Sequence, residues 1–358
     1  MTSQLRGDRL RPAEIASATW RVSFVPATTA PPSTARVAVC ERAALGTSAR
    51  LAIWPAGAQD AACAAVDRIL DELDRQVSRF RADSELERAH AAQGLPSLLS
   101  QGAADAVTVA LAAACVSGGR VDPTVGAALC DLGYDRDFSA IDPRRPPRDP
   151  RPAPGWRSVR LHGRVLRTAP GVRLDLGATA KGLGADRAAL AALGALDGRG
   201  GVLVSLGGDI AVAGPPLGSG WPVGVSEDPG ADLDAAAQVV QIRRGGLATS
   251  SVLHRRWRSG GTASHHIVDP TTGQPVSGPW RTATVAALSC VEANTASTTA
   301  IVAGDDAEDW LRSHDLAARL VGRDGHVQLV GRWPHAMGGQ VPIPLRSIFE
   351  RRDEAARQ

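Results

Sequence analysis

The sequence predicts an α+β fold, on three observations. Apolar residues Cys63, Val66, Leu70, Leu73 and Val77 are spaced 3, 4, 3 and 4, which draws one stripe down an amphipathic helix over residues 59–78. The chain beyond residue 152 is rich in short β-branched runs. Strand and helix runs do not alternate strictly, as a doubly wound parallel sheet would require. In order, residues 1–35 read as a disordered tail, charged and then Pro- and Thr-rich with little apolar content. A strand is expected at 48–54, led by Leu45-Gly46-Thr47, and then the helix at 59–78. A second helix at 103–115 stops at Ser117-Gly118-Gly119. The run Pro143–Pro152 holds too many prolines for a helix or a central strand, so it is a surface connection and the best candidate for an internal boundary. Strands follow at 158–161, 172–176, 202–206, 239–242 and 282–288, with helices at 182–195 and 293–302. Runs at 318–321 and 326–330 flank Arg323-Asp324-Gly325, a hairpin signal. The folded domain is expected over 36–340, with a C-terminal tail at 341–358.

Composition excludes several function classes. The 358 residues can bury a large core, built mainly of Ala, Val and Leu because aromatic residues are only 4%. Forty basic residues against 37 acidic ones leave a formal charge of +3, and no basic stripe is interleaved with aromatics, so nucleic acid is not an expected partner. Five cysteines (Cys40, Cys63, Cys115, Cys130, Cys290) are widely spaced without a CxxC pair, which suggests reduced, mostly buried thiols. No apolar run of signal-peptide length precedes Cys40, and the longest apolar stretch, 106–116, is far short of the ~20 residues of a membrane span. As the sequence stands, the expected location is the cytoplasm with no stable membrane insertion. An extracytoplasmic site follows instead if the true start lies elsewhere.

The most informative string is Asp175-Leu-Gly-Ala-Thr-Ala-Lys-Gly182, where an apolar run enters a Gly turn and the turn enters a helix. Backbone N–H groups at such a junction attract anions, and Lys181 adds a full positive charge there. Other strings with chemical potential are Arg79-Phe80-Arg81-Ala82-Asp83-Ser84-Glu85-Leu86, Gly118-Gly119-Arg120-Val121-Asp122-Pro123-Thr124-Val125-Gly126 and Leu206-Gly207-Gly208-Asp209-Ile210. Ala248-Thr249-Ser250-Ser251 leads on to His265-His266-Ile267-Val268-Asp269-Pro270-Thr271-Thr272-Gly273. No Gly-x-Ser-x-Gly elbow, HExxH or Walker sequence is present.

Taken in this order and spacing, together with Gly155-Trp156 and Glu292-Ala293-Asn294…Thr298, the strings resemble the ApbE family, the FAD:protein FMN transferases, over roughly residues 43–335. That resemblance implies a mixed α/β fold with antiparallel-rich sheets and packed helices. It also implies a Mg²⁺-dependent reaction: FAD is split at its pyrophosphate, and the FMN half is joined to a Thr or Ser hydroxyl of a target flavoprotein with release of AMP. By the same resemblance the metal is held by the carbonyl of Ala178 and the side chains of Asn294 and Thr298. FAD is lined by Leu45, Phe80, Arg120, Val121, Asp122, Asp175, Lys181 and Val268. His266 is the acid/base group, since an imidazole titrates near neutral pH.

One position departs from the family's pattern. Asn294 stands where Asp is usual, and it shares a helical face with Thr298 at i and i+4. An amide oxygen can ligate Mg²⁺ but brings no charge, so metal affinity is expected to be lower, and Asn294→Asp is expected to raise activity at limiting Mg²⁺. The alternatives are an FAD pyrophosphatase giving FMN and AMP, or a flavin-binding or carrier protein with weakened catalysis.

Overall fold

The computed structural model describes residues 21–26, 36–228 and 233–350. Its frame is a nine-stranded sheet in the order Arg21–Pro26, Arg36–Ala44, Thr47–Trp54, Gly201–Leu206, Asp209–Ala213, Gly245–Ser251, Trp280–Ala287, Ala317–Gly322 and Val327–Val330. Every neighbouring pair in it is antiparallel. Alternation along the central strands decides what each face packs against. Val202, Val204 and Leu206 point with Leu51 and Ile53 into one layer, while Leu203 and Ala52 point into the opposite one.

Seven α-helices lie among the described residues: α1 Gln59–Val77, α2 Glu85–Ala91, α3 Gln101–Val116, α4 Gly126–Asp131, α5 Ala180–Gly194, α6 Cys290–Ala303 and α7 Ala307–Ser313. The α1 stripe predicted from spacing is buried. Its first half (Cys63, Val66, Leu70) joins Ala185, Ala188 and Ala192 of α5 over the sheet. Its second half (Leu73, Val77) packs with α3 and with Leu174 and Leu176. α6 and α7 cover the other end of the same face, against Ala283, Val285, Ala318 and Leu320. The opposite face is closed by a small sheet of Trp221–Val225, Gln238–Ile242 and Gly339–Gln340.

Several expectations change. Residues 172–176 form no ladder strand. Val172, Leu174 and Leu176 are buried as the alternation requires, but their neighbouring amides bond elsewhere. Leu174 N–H donates to His90 Nε2 at 2.8 Å and Asp175 N–H to the Pro123 carbonyl at 2.7 Å. The first 35 residues are not wholly a tail: Arg21–Pro26 pairs along the backbone with Arg36–Ala44, and the remainder lies outside the described residues. The chain past 340 is likewise packed as far as residue 350, with Val341 and Ile348 in the core. The boundary expected near 143–152 does not divide the main sheet, since Thr47–Trp54 on one side of it pairs with Gly201–Leu206 on the other. That Pro-rich run is a strap, held by Arg148 N–H on the Asp131 carbonyl (2.8 Å) and by Gly260 N–H on the Pro143 carbonyl (3.1 Å). The hairpin at 323–325 forms as predicted, joining Ala317–Gly322 to Val327–Val330.

Candidate active site

The turn at 176–179 delivers α5 directly. Thr179 N–H and Ala180 N–H both bond the Leu176 carbonyl, at 3.0 and 2.7 Å, and no side chain caps the helix. Ala178 sits in this turn, half-buried, three residues before Lys181. Gly182 is obligatory, because a Cβ there would lie 2.8 Å from the Val291 Cα of α6. One turn further along α5, Asp186 accepts the first N–H groups of α6, from Cys290 (2.8 Å) and Val291 (3.0 Å). Burial pushes the Asp186 carboxyl up to about 6, against the pull of those two hydrogen bonds. The two helix N-termini are thus locked together.

A buried polar triad forms at this junction. Strand Gly201–Leu206 turns through Gly207 and Gly208, at φ +63° and +97°, a conformation glycine adopts without strain. The turn places Asp209, 1% exposed, beneath α5 and α6. Lys181 Nζ reaches one Asp209 oxygen at 2.6 Å, and Asn294 Nδ2 donates to the other at 2.6 Å. Asn294 Oδ1 is buried and has no hydrogen-bond partner. One turn along α6, Thr298 Oγ1 meets Ser250 Oγ at 2.9 Å, and Ser250 also meets Ser297 Oγ at 2.8 Å. The sequence marks the Gly-Gly-Asp string but does not single out Asp209 as a site residue. The pairing of residues 85 positions apart has no signature in local spacing.

The other wall is cationic and aromatic. His266 Nδ1 is closed off from solvent without a partner. Burial, then the positive charges of Arg255 and Lys181, hold this imidazole down at about 3, so it is neutral at physiological pH. His265 Nδ1 is likewise buried without a partner, but its Nε2 donates to the Val276 carbonyl at 3.1 Å, which ties that ring to the backbone. Arg255, at φ +47°, reaches the Tyr134 hydroxyl at 3.2 Å and the Gly46 carbonyl at 3.4 Å. Phe80 is 40% exposed, with its ring tilted 5.4 Å from Tyr134. The Arg79 guanidinium lies 4.3 Å from the Phe80 ring centroid and 4.4 Å from that of Tyr134. It also pairs with Asp175 at 2.5 Å. Tyr134 and Arg255 carry no motif of their own; only the fold brings them to Arg79 and Phe80.

The predicted residues therefore divide into two kinds. Lys181 and Asn294 meet on Asp209, Thr298 lies one turn along α6 from Asn294, and His266 feels the charge of Lys181; of these, Asn294 Oδ1 and His266 Nδ1 are buried without a partner. Asp175 and Asp122 have their carboxylates occupied by their own frame. Asp175 holds Arg79 and accepts Gly177 N–H at 2.7 Å. Asp122 accepts from Thr124 N–H (2.8 Å), Thr124 Oγ1 (2.6 Å) and Trp156 N–H (2.8 Å). Arg120 pairs with Asp306 at 3.2 Å, and Val121 is buried beside it. Val268 packs with Leu129, Leu132, Tyr134 and Trp257. Leu45, at φ +51°, is half-buried between the two clusters that flank α1.

Known proteins resemble this chain in sequence and in fold. A model of the ApbE family matches residues 45–320. The chain belongs to the ApbE family. Among curated relatives, a Treponema pallidum "FAD:protein FMN transferase" is 33% identical over 267 residues, covering 67% of this chain and 72% of the relative. One from Klebsiella pneumoniae, of the same name, is 30% identical over 274 residues, covering 73% and 77%. An ApbE protein of Thermotoga maritima shares the fold at a TM-score of 0.72 and 24% identity, covering 82% of this chain and 97% of the other. The Vibrio cholerae flavin transferase ApbE superposes at 0.65 over 87% of this chain and 98% of its own, at 20% identity. The mixed α/β fold with antiparallel sheets expected from the sequence is thus the observed one. Among the described residues no helix is long and apolar enough to cross a membrane, and no group of three or more His, Cys, Asp or Glu side chains is set to hold a metal ion.

Proposed function

We propose that this ApbE-family protein is an FAD:protein FMN transferase, moving FMN from FAD to a Thr or Ser hydroxyl of a target flavoprotein with release of AMP. The observation that carries this reading is the orphaned Asn294 Oδ1, buried beside the Lys181–Asp209 pair, whose lysine also acts on neutral His266. A buried acceptor with no donor costs about 1–3 kcal/mol unless something binds it. A cation is the natural candidate, because the donors at hand are all hard oxygens: the Asn294 amide, the Thr298 hydroxyl and the Ala178 carbonyl. Few oxygen ligands from protein, with phosphate and water completing the shell, suit Mg²⁺. When bound, Mg²⁺ would neutralise pyrophosphate charge and polarise the phosphorus under attack.

The chain's own groups supply the rest. In the transfer, the acceptor hydroxyl oxygen bonds to the FMN phosphorus, the pyrophosphate P–O bond breaks, and AMP leaves with that electron pair. The hydroxyl proton goes to the neutral imidazole of His266. A neighbouring anion would raise the basicity of this imidazole, since Arg255 and Lys181 are among the causes that lower it. Lys181 and Arg255 place positive charge where the phosphates develop negative charge. The partly exposed Phe80 ring, backed by Tyr134 and Arg79, offers a surface for a flat ring system.

The test is to incubate the full chain with FAD, Mg²⁺ and an FMN-binding acceptor domain, then look for flavin that stays on the acceptor after denaturation. Covalent flavin on the acceptor is the expected result. AMP release that is indifferent to the acceptor would replace transfer with FAD hydrolysis. Retained FAD without AMP would leave a flavin carrier.

A further inference from the structure

We infer that Asp209 is the residue that sets Asn294 to receive the cation, and that in this chain the site's fixed negative charge sits at 209 instead of 294. This rests on the reading above that Asn294 is a ligand. An ionised carboxylate accepts hydrogen bonds only, whereas a primary amide has one donor end and one acceptor end. At 2.6 Å from Asp209, the amide can present only its Nδ2. A flipped amide would set two acceptors against each other. Oδ1 is thereby turned to the remaining side, where it has no partner.

Lys181 completes the arrangement, because it fixes the second Asp209 oxygen at 2.6 Å and keeps the carboxylate from rotating away. Asp209 is 1% exposed and Asn294 is buried, so no solvent stands in for a lost partner. The sequence-based expectation for Asn294→Asp changes accordingly. A carboxylate at 294 would face Asp209 at hydrogen-bond distance, with only Lys181 seen to pair with Asp209. In the absence of metal that substitution places two like charges together in the interior.

The experiment uses the full chain and reads Mn²⁺ binding by electron paramagnetic resonance, together with thermal unfolding in chelator. Asn294→Ala first tests the underlying reading, and unchanged Mn²⁺ affinity there would remove 294 from the cation site. If 294 stands, Asp209→Asn is expected to weaken Mn²⁺ affinity by ~10-fold or more, since an amide at 209 no longer dictates which end of Asn294 faces outward. Asn294→Asp is expected to lower the unfolding temperature in chelator by ~3 °C or more. The exchanged pair D209N/N294D restores one amide donating to one carboxylate, so it should recover both unfolding temperature and Mn²⁺ affinity. Unchanged affinity in Asp209→Asn would overturn the proposal while leaving Asn294 a ligand. So would an exchanged pair no better than Asn294→Asp alone.

Discussion

Asp175 and Asp209 both lie beside a glycine turn that borders a buried apolar run, and both pair with one cation. Their surroundings nevertheless differ. Asp175 holds Arg79 and its own turn N–H, so its carboxylate is occupied, although Nη2 of that Arg79 is itself buried without a partner. Asp209 holds Lys181 and one end of an amide whose other end is vacant. The first carboxylate closes its hydrogen bonds within the fold and so builds the wall. The second passes an unmet requirement outward, and that requirement is what a ligand can answer.

The comparison breaks most sharply at Lys181. Lys181→Ala leaves Asp209 buried without its cation and is expected to cost about 3 kcal/mol or more in urea unfolding, along with most of the FAD affinity. Unaltered FAD affinity by titration would take Lys181 out of the site. A third aspartate sharpens the contrast through pH. Asp186 is held up at about 6 against an ordinary 3.8, so its protonated form suits the fold better than its ionised one. Stability from this group is full below about 4 and is lost as pH rises through 6, by up to ~3 kcal/mol. Asp186→Asn should flatten that slope, and an unchanged slope would assign it to other groups. The smallest effect belongs to Asp175→Asn, which keeps the acceptor for Gly177 but weakens the Arg79 pair. It is expected to cost about 1–2 kcal/mol and to leave Mn²⁺ affinity unchanged. A fall in affinity there matching that of Asp209→Asn would erase the distinction drawn between the two.

What the sequence makes legible is what repeats along it. The α1 stripe, the strands at 201–206 and 280–287 and the hairpin at 323–325 follow from periodicity and turn chemistry. Residues 172–176 carry the alternation of a strand without being one, because alternation reports burial and is silent about who bonds the amides. Arg36–Ala44 escapes notice because its outer half, Glu41-Arg42-Ala43-Ala44, lacks a clean apolar alternation. The site divides in the same way. Lys181, Asn294, Thr298 and His266 stand in recognisable strings, so the family resemblance carries them. Asp209's partnership with Asn294, and the gathering of Arg79, Tyr134 and Arg255, depend on contacts between residues far apart in the chain.

The packed segment after residue 340 gives the chain's far end a share in the chemistry. Glu292 is buried two residues before Asn294, and its carboxylate accepts from Ser347 Oγ at 2.6 Å and Ile348 N–H at 3.3 Å. These contacts lie beyond the 45–320 span that defines the family match. The segment at Ser347 and Ile348 therefore works as a latch on the helix that carries the proposed cation ligand. Trimming the protein to its family boundaries would open that latch and strand an acid in the core, two residues from the one on which the proposed reaction depends.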